Sequence, residues 1–264
     1  MSVAHRPRKR YGQHFLHDPR VIGRILDAVR PLPDQRLAEI GPGLGALTLP
    51  LLQRCGALDV IELDRDVVPM LSQLCEGYGT LRVHRADALA FDFGSLARAR
   101  GGPLRLVGNL PYNVSTPLLF HLLDQAEAIL DMHFMLQREV VDRMAAGPGS
   151  GTYGRLSVML AWRCRVERLF RIGPGAFRPA PRVDSAFVRL RPLREPPFAV
   201  ADPATFRAIV AQAFSQRRKT VRNALRRYLD ESEIRAAGVD PGLRPEQVSP
   251  AQFAALADRV ADAG

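Results

Sequence analysis

The stretch "LAEIGPGLGALT" (residues 37–48) decides how the rest of the chain is read. Its apolar start reads as a buried strand, and Gly41, Gly43 and Gly45 follow directly, at the opening of a helix. Glycine there lets backbone approach a ligand with no Cβ in the way. The spacing is G-x-G-x-G, one residue shorter than the dinucleotide fingerprint, and Pro42 stiffens the turn, which disfavours NAD. A purely structural tight turn would also use these glycines.

Outward from this turn, short apolar runs alternate with helical periodicity from Arg36 to about Gln137, the pattern of a doubly wound, mostly parallel sheet. The expected strands lie near 36–41, 57–62, 80–84, 103–108 and 129–136, with helices near 19–30, 45–55, 64–75 and 115–124. "REVVDRMAAG" and "YGRLSVMLAWRC" read as helices, whereas "RVERLFRI" and "VDSAFVRLRP" alternate with a period of two and are expected to pair as an antiparallel edge. Pro192, Pro196 and Pro197 mark a linker, so the expected division is a catalytic domain at 1–195 and a small all-α domain at 196–264. In the latter, "PATFRAIVAQAFSQ", "RRKTVRNALRRYL" and "PAQFAALADRV" read as helices.

A chain of 264 residues can bury a sizeable core, and no apolar run approaches the roughly 18 residues of a membrane span. The basic start (Arg6, Arg8, Lys9, Arg10) runs into Tyr11-Gly12-Gln13-His14, where a secretory signal would be apolar. Cys55, Cys75 and Cys164 are too far apart for a disulfide framework or a zinc site, which points to a reducing cytoplasm and no metal. The net charge of +10 favours a polyanionic partner, and nucleic acid leads. Two clusters concentrate it: Arg6–Arg10, and Arg217, Arg218, Lys219, Arg222, Arg226 and Arg227 on an expected helix. An Arg-rich composition without function is the competing reading.

Two acids extend the glycine turn into a pocket. In "VIELDRD", Glu62 ends the second strand and is placed to accept hydrogen bonds from two ribose hydroxyls, a feature shared with NAD sites. In "RADALAFDF", Asp87 follows the third strand and suits an adenine amino group. With no phosphate-binding lysine motif present, Gly41, Glu62 and Asp87 outline a site for an adenosine with a small amino-acid-like tail, which is S-adenosylmethionine.

The fourth strand ends in "NLPY" (109–112), at the same rim. An exocyclic amine on a purine is a poor nucleophile because its lone pair is delocalised into the ring. Acceptance of its two N–H groups by the Asn109 side-chain oxygen and the Leu110 carbonyl would aim the nitrogen by orientation and fixed dipoles. Pro111 stiffens the turn, and Tyr112 offers a face for a stacked base. The motif suits amines in DNA, RNA or protein glutamine alike, and an Asn109 that merely caps the next helix is the structural alternative.

In order along the chain stand "RKRYGQHFLHD", "EIGPGLGALT", "VIELDRD", "VGNLPYNVSTPLLF", "FRPAPRVDSAFVRL" and "FSQRRKTVRNAL". With these six motifs the chain resembles, over nearly its whole length, the KsgA/RsmA family of small-subunit rRNA adenine N6,N6-dimethyltransferases. The resemblance implies a Rossmann-like class I S-adenosylmethionine-dependent methyltransferase fold with an antiparallel edge. It matches His14, Leu16, Gly41, Glu62, Asp87 and Asn109 to cofactor-contacting positions; His14 stands where the family often has Asn. It implies as substrate two adjacent adenosines in the 3′-terminal hairpin loop of 16S rRNA, within an immature small ribosomal subunit, with a role in subunit biogenesis. Splayed loop bases suit sequence-specific RNA reading. Phe177 in "AFRPAPR" is the candidate second face of a stack with Tyr112, against the alternative of a core aromatic, and Arg217, Arg218, Lys219 and Arg222 are the candidate rRNA contacts. A monomer is expected. A large-subunit rRNA adenine methylase and an assembly factor whose chemistry is secondary are the competing functions.

Overall fold

The computed structural model describes residues 14–262, so the Arg6–Arg10 cluster lies outside the described residues. The chain enters through a two-residue strand, β1 (Phe15–Leu16), and a helix, α1 (Pro19–Val29). Asp18 caps that helix by accepting from the Arg20 and Val21 amides, a device worth about 1 kcal/mol, and Pro19 fits the first turn, where a missing N–H costs nothing. The expected alternation follows: β2 (Leu37–Ile40), α2 (Thr48–Cys55), β3 (Ala57–Glu62), α3 (Val68–Leu74), β4 (Thr80–Arg85), α4 (Phe93–Ala99), β5 (Leu104–Asn109), α5 (Ser115–Asp124) and β6 (Ile129–Gln137). Then come α6 (Arg138–Met144), α7 (Arg155–Arg163), β7 (Cys164–Ile172), β8 (Phe177–Arg178) and β9 (Ser185–Pro192). Four helices end the chain: α8 (Pro203–Ser215), α9 (Val221–Leu225), α10 (Glu231–Ala236) and α11 (Pro250–Asp262).

Seven strands form one sheet in the order β4-β3-β2-β5-β6-β9-β7. The first five are parallel, so the sheet is doubly wound and mostly parallel as expected; β9 joins β6 antiparallel, and β7 neighbours β9 at the edge, as the two segments were expected to neighbour one another. β2 and β5 are buried nearly throughout, which is why they read as unbroken apolar runs. One exception inside such a run is Arg105, which pairs in register with Asp131 through two 3.0 Å hydrogen bonds and also donates to the Gln35 side chain and the Val29 carbonyl. The buried charge is thus matched on every side it presents.

The strand order changes direction between β2 and β5, and this switch point is where open α/β sheets bind ligands. The two strands come unusually close at their ends: a Cβ on Gly108 would stand 2.6 Å from the Ile40 carbonyl oxygen. Only glycine fits there. Against one face of the sheet, Ile25, Leu26 and Val29 of α1 and Leu51 and Leu52 of α2 share a core with Leu37, Leu58, Val60 and Val107. A second, two-stranded sheet pairs β1 with β8, placing Phe15 opposite Arg178 and Leu16 opposite Phe177.

The chain divides into two compact units, residues up to Val141 with Val166–Pro192, and Asp142–Arg165 with Leu193 onward. A single cut near 195 therefore does not describe it. The reason is the apolar surface of α7, whose Leu156, Val158, Met159, Leu160 and Trp162 are all buried. Trp162 meets Phe206 of α8 edge to face at 5.3 Å, and the Tyr153 hydroxyl donates to the Val248 carbonyl at 2.9 Å. These contacts assign α7 to the C-terminal helices. In the same unit, the expected continuous helix over "RRKTVRNALRRYL" is only α9. Thr220 is extended, and the Val221 and Arg222 amides donate to the Leu243 and Pro241 carbonyls at 2.7 and 3.2 Å, so Arg217, Arg218 and Lys219 lie in the turn before that helix.

Candidate active site

A cavity of about 670 Å3 opens at the carboxyl ends of β2, β3, β4 and β5, all within the first unit. That volume is in the range of small-molecule sites. Its lining includes His14, Leu16, Gly41, Glu62, Asp87, Asn109, Leu110 and Tyr112, so the structure brings together every pocket residue singled out from the sequence except Phe177.

The glycine turn forms because Gly41, Gly43 and Gly45 all adopt left-handed φ, at 66°, 53° and 84°. The Gly41 amide donates to the Ile61 carbonyl at 3.0 Å, continuing the β2–β3 ladder into the turn. A Cβ on Gly45 would come within 2.5 Å of the Leu74 side chain, whereas at Gly41 the nearest atom would be the Asn109 carbonyl oxygen at 4.0 Å. Gly45 is thus held by packing, and Gly41 faces the open site.

Glu62 sits at the end of β3 with one carboxylate oxygen accepting from the Asp64 amide at 2.8 Å and the other from Gly43 at a long 3.4 Å. Burial raises its pKa, and these amides oppose that in part. Asp87 accepts from the Leu89 amide at 2.9 Å, an Asx-type turn that presents its carboxylate at the rim. The buried Glu62, the exposed Asp87 at the rim, the open glycine and the cavity together suit the ribose, the adenine and the tail of an adenosine derivative.

At the end of β5, the Asn109 side-chain nitrogen donates to the His14 carbonyl at 2.8 Å, which leaves the side-chain oxygen as an acceptor that no donor takes among the described residues. The Leu110 amide is taken by the Met135 carbonyl at 3.2 Å, and its side chain is buried, so the turn is anchored on both sides. Tyr112 is half-buried; its hydroxyl lies 2.6 Å from Ser185, and the His14 ring stacks on its face with centroids 5.3 Å apart. Phe177 takes no part. It is 2% exposed and belongs to the core with Leu16 and Ile172, because in the two-residue β8 it points inward while Arg178 points outward. The expected second stacking face is thereby corrected: the ring on Tyr112 belongs to His14.

The profile of the family described as ribosomal RNA adenine dimethylase matches residues 4–262. The chain belongs to that family. Its enzymatic class is that of an rRNA methyltransferase. Curated relatives of this dimethylase-family chain include the ribosomal RNA small subunit methyltransferase A of Pseudomonas fluorescens, 57% identical over 98% of this chain and 95% of the relative. The protein of that name from Marinobacter nauticus is 52% identical over 98% and 94%. Among solved structures, the 23S rRNA methyltransferase ErmE superposes with a TM-score of 0.70 at 27% identity, covering 94% of this chain and 99% of that one. A dimethyladenosine transferase from Plasmodium falciparum reaches 0.74 at 23% identity over 92% and 96%, a likeness of fold.

One residue lining the cavity escaped the sequence reading. Glu39 lies within β2, lines the cavity and is 2% exposed, with one carboxylate oxygen lacking any hydrogen-bond partner among the described residues. Burial pushes its pKa up to about 8, Thr48 lowers it in part, and the charge of Glu62 adds to the rise. A carboxylate inside an apolar strand was the available signal. Of the candidate rRNA contacts, Arg217 donates to Glu246 at 2.8 Å and to the Gly151 carbonyl at 2.7 Å, and Arg222 donates to Glu231 at 3.0 Å. Arg218 and Lys219 are exposed. Among the described residues, no helix is long and apolar enough to cross a membrane, and no cluster has metal-ligating composition.

Proposed function

We propose that this enzyme uses S-adenosylmethionine to dimethylate N6 of two adjacent adenosines in the 3′-terminal hairpin loop of 16S rRNA, in an immature small subunit. One observation carries the chemistry: the Asn109 amide is committed through its nitrogen to His14, leaving its oxygen as an acceptor beside the glycine turn. Gly41, Glu62 and Asp87 would hold the cofactor, with Leu16 and His14 at the rim, and a bound S-adenosylmethionine supplies an electrophilic methyl group. The chain's own work is orientation. Asn109 and the Leu110 carbonyl accept the two N–H groups of an extruded adenine, Tyr112 supports its ring, and no general base is needed to form the C–N bond.

The small-subunit target rests on relatives at 52–57% identity that carry that name. Arg178 lines the cavity, and Arg218 and Lys219 of the second unit are exposed, which supports a role in docking rRNA phosphates. The enzyme acts as a cytoplasmic monomer and contributes to subunit biogenesis. The resemblance to ErmE keeps a large-subunit target as the competing reading. Both are tested by incubating the protein with labelled S-adenosylmethionine and undermethylated small or large subunits, followed by mass analysis of rRNA adenosines. Dimethyladenosine pairs in 16S rRNA alone are expected. Label confined to 23S rRNA would transfer the assignment to the large subunit, and label in neither would leave the protein a binding factor.

A further inference from the structure

We infer that His14 is a positioning residue for methyl transfer, holding the Asn109 amide and the Tyr112 ring in their working orientation; this rests on the methyltransferase reading above. A primary amide has two ends of similar shape and opposite hydrogen-bonding character. If the Asn109 group were turned over, it would present N–H groups to an incoming adenine amine, and two donors cannot bond to one another. The His14 carbonyl, 2.8 Å from the side-chain nitrogen, selects the useful orientation.

His14 is itself fixed from three directions. Its ring nitrogen Nδ1 donates to the Pro179 carbonyl at 2.7 Å, just after β8. Its ring lies against Tyr112 at 5.3 Å and 30° between planes, leaving only the other face of the tyrosine for a base. The next residue, Phe15, is in register with Arg178 across the two-stranded sheet, and its ring stands 3.1 Å from where a Cβ on Gly43 would be. One residue therefore joins the entering arm, the turn after β5 and the loop after β8. Loss of the ring frees the carbonyl to move, and the amide loses its preferred sense.

The test compares full-length wild type with His14→Ala, which removes the ring and keeps the carbonyl, and with His14→Phe, which keeps a ring and loses the bond to Pro179. Methylation of undermethylated small subunits at saturating S-adenosylmethionine is measured alongside cofactor affinity by calorimetry. At saturating S-adenosylmethionine His14→Ala is expected to lose at least tenfold in kcat, beyond whatever its loss of a cavity-lining ring does to cofactor Kd, and His14→Phe to recover part of the loss. The nitrogen-15 resonance of the Asn109 amide, assigned by its absence in Asn109→Ala, should broaden or shift in His14→Ala. An unchanged kcat, or a defect confined to cofactor affinity, overturns the inference. A wild-type protein that methylates no rRNA would instead overturn the functional reading, and an unmoved Asn109 resonance would then separately reject the role of His14.

Discussion

The Tyr112 hydroxyl and the Ser185 hydroxyl lie 2.6 Å apart, joining the turn after β5 to the first residue of β9. Ser185 is fully buried, so its oxygen has no access to water if the tyrosine is lost. Burial raises the Tyr112 pKa while Ser185 pulls it down, so the phenol stays protonated at neutral pH. Tyr112→Phe is expected to destabilise the protein by about 1–3 kcal/mol, the cost of one unpaired buried hydroxyl. Ser185→Ala should cost less, because the half-buried phenol can turn to solvent. Urea unfolding of the two variants checks the order.

Asn109→Ala removes the acceptor proposed to hold the adenine amine. A fall in kcat of at least a hundredfold is expected, the scale seen when one preorganised polar group is taken from a reacting centre. Cofactor Kd should change by much less, since Gly41, Glu62 and Asp87 stay in place. Unchanged methylation of small subunits would reject the role.

The pH dependence of stability should carry the mark of Glu39. Its folded-state pKa of about 8 lies above the ordinary 4.5, so between those values the folded chain holds a proton that the unfolded chain has released. Stability therefore falls as pH rises through that window, by at most roughly 1.4 kcal/mol per pH unit from this group, and levels off above it. Below the window both states are protonated and the group contributes no slope. Glu39→Gln should flatten the decline and raise stability at pH 8 relative to wild type. Denaturant midpoints measured at pH 5 and pH 8 test the sign; an unaltered slope would show Glu39 ionised in the native state.

Arginines of the second unit divide by what already binds them. Neutralising Arg218 and Lys219 should lower subunit affinity and reduce the slope of log K against log salt, by about 0.7–0.9 for each phosphate that is no longer neutralised. Arg217→Ala, which breaks bonds to Glu246 and Gly151, should instead lower Tm and leave most of that slope intact. Filter binding across a salt series, with thermal melts in parallel, separates the two effects.

The central sheet was legible because strands buried on both faces must be written as apolar runs, and β2, β3, β5 and β6 obey this. The pocket was legible because its glycines, acids and amide follow the strands directly. β1 and β8 left no periodic signal, since a two-residue strand has no repeat to detect. The inward aim of Phe177 and the placing of His14 on Tyr112 depend on that pairing, so both were hidden with it. Likewise α4 was missed: only seven residues long, it is set by Asp92 accepting from the Ser95 amide. The helices α6 and α7 were legible over "REVVDRMAAG" and "YGRLSVMLAWRC", but the grouping of α7 with the C-terminal helices was not, because which partner covers Trp162 is not written locally.

The excursion of the chain through α6 and α7 before β7 and β9 bears on how the protein emerges during synthesis. A nascent chain ending at Val141 has the turns after β2, β3, β4 and β5 but lacks Arg178 and Pro179 of the cavity lining and the whole of β9, leaving the far side of β6 as a bare edge open to mispairing with other chains. The cofactor half should thus mature only after residue 192 has cleared the ribosome, and a clone stopped at 141 should collect in inclusion bodies.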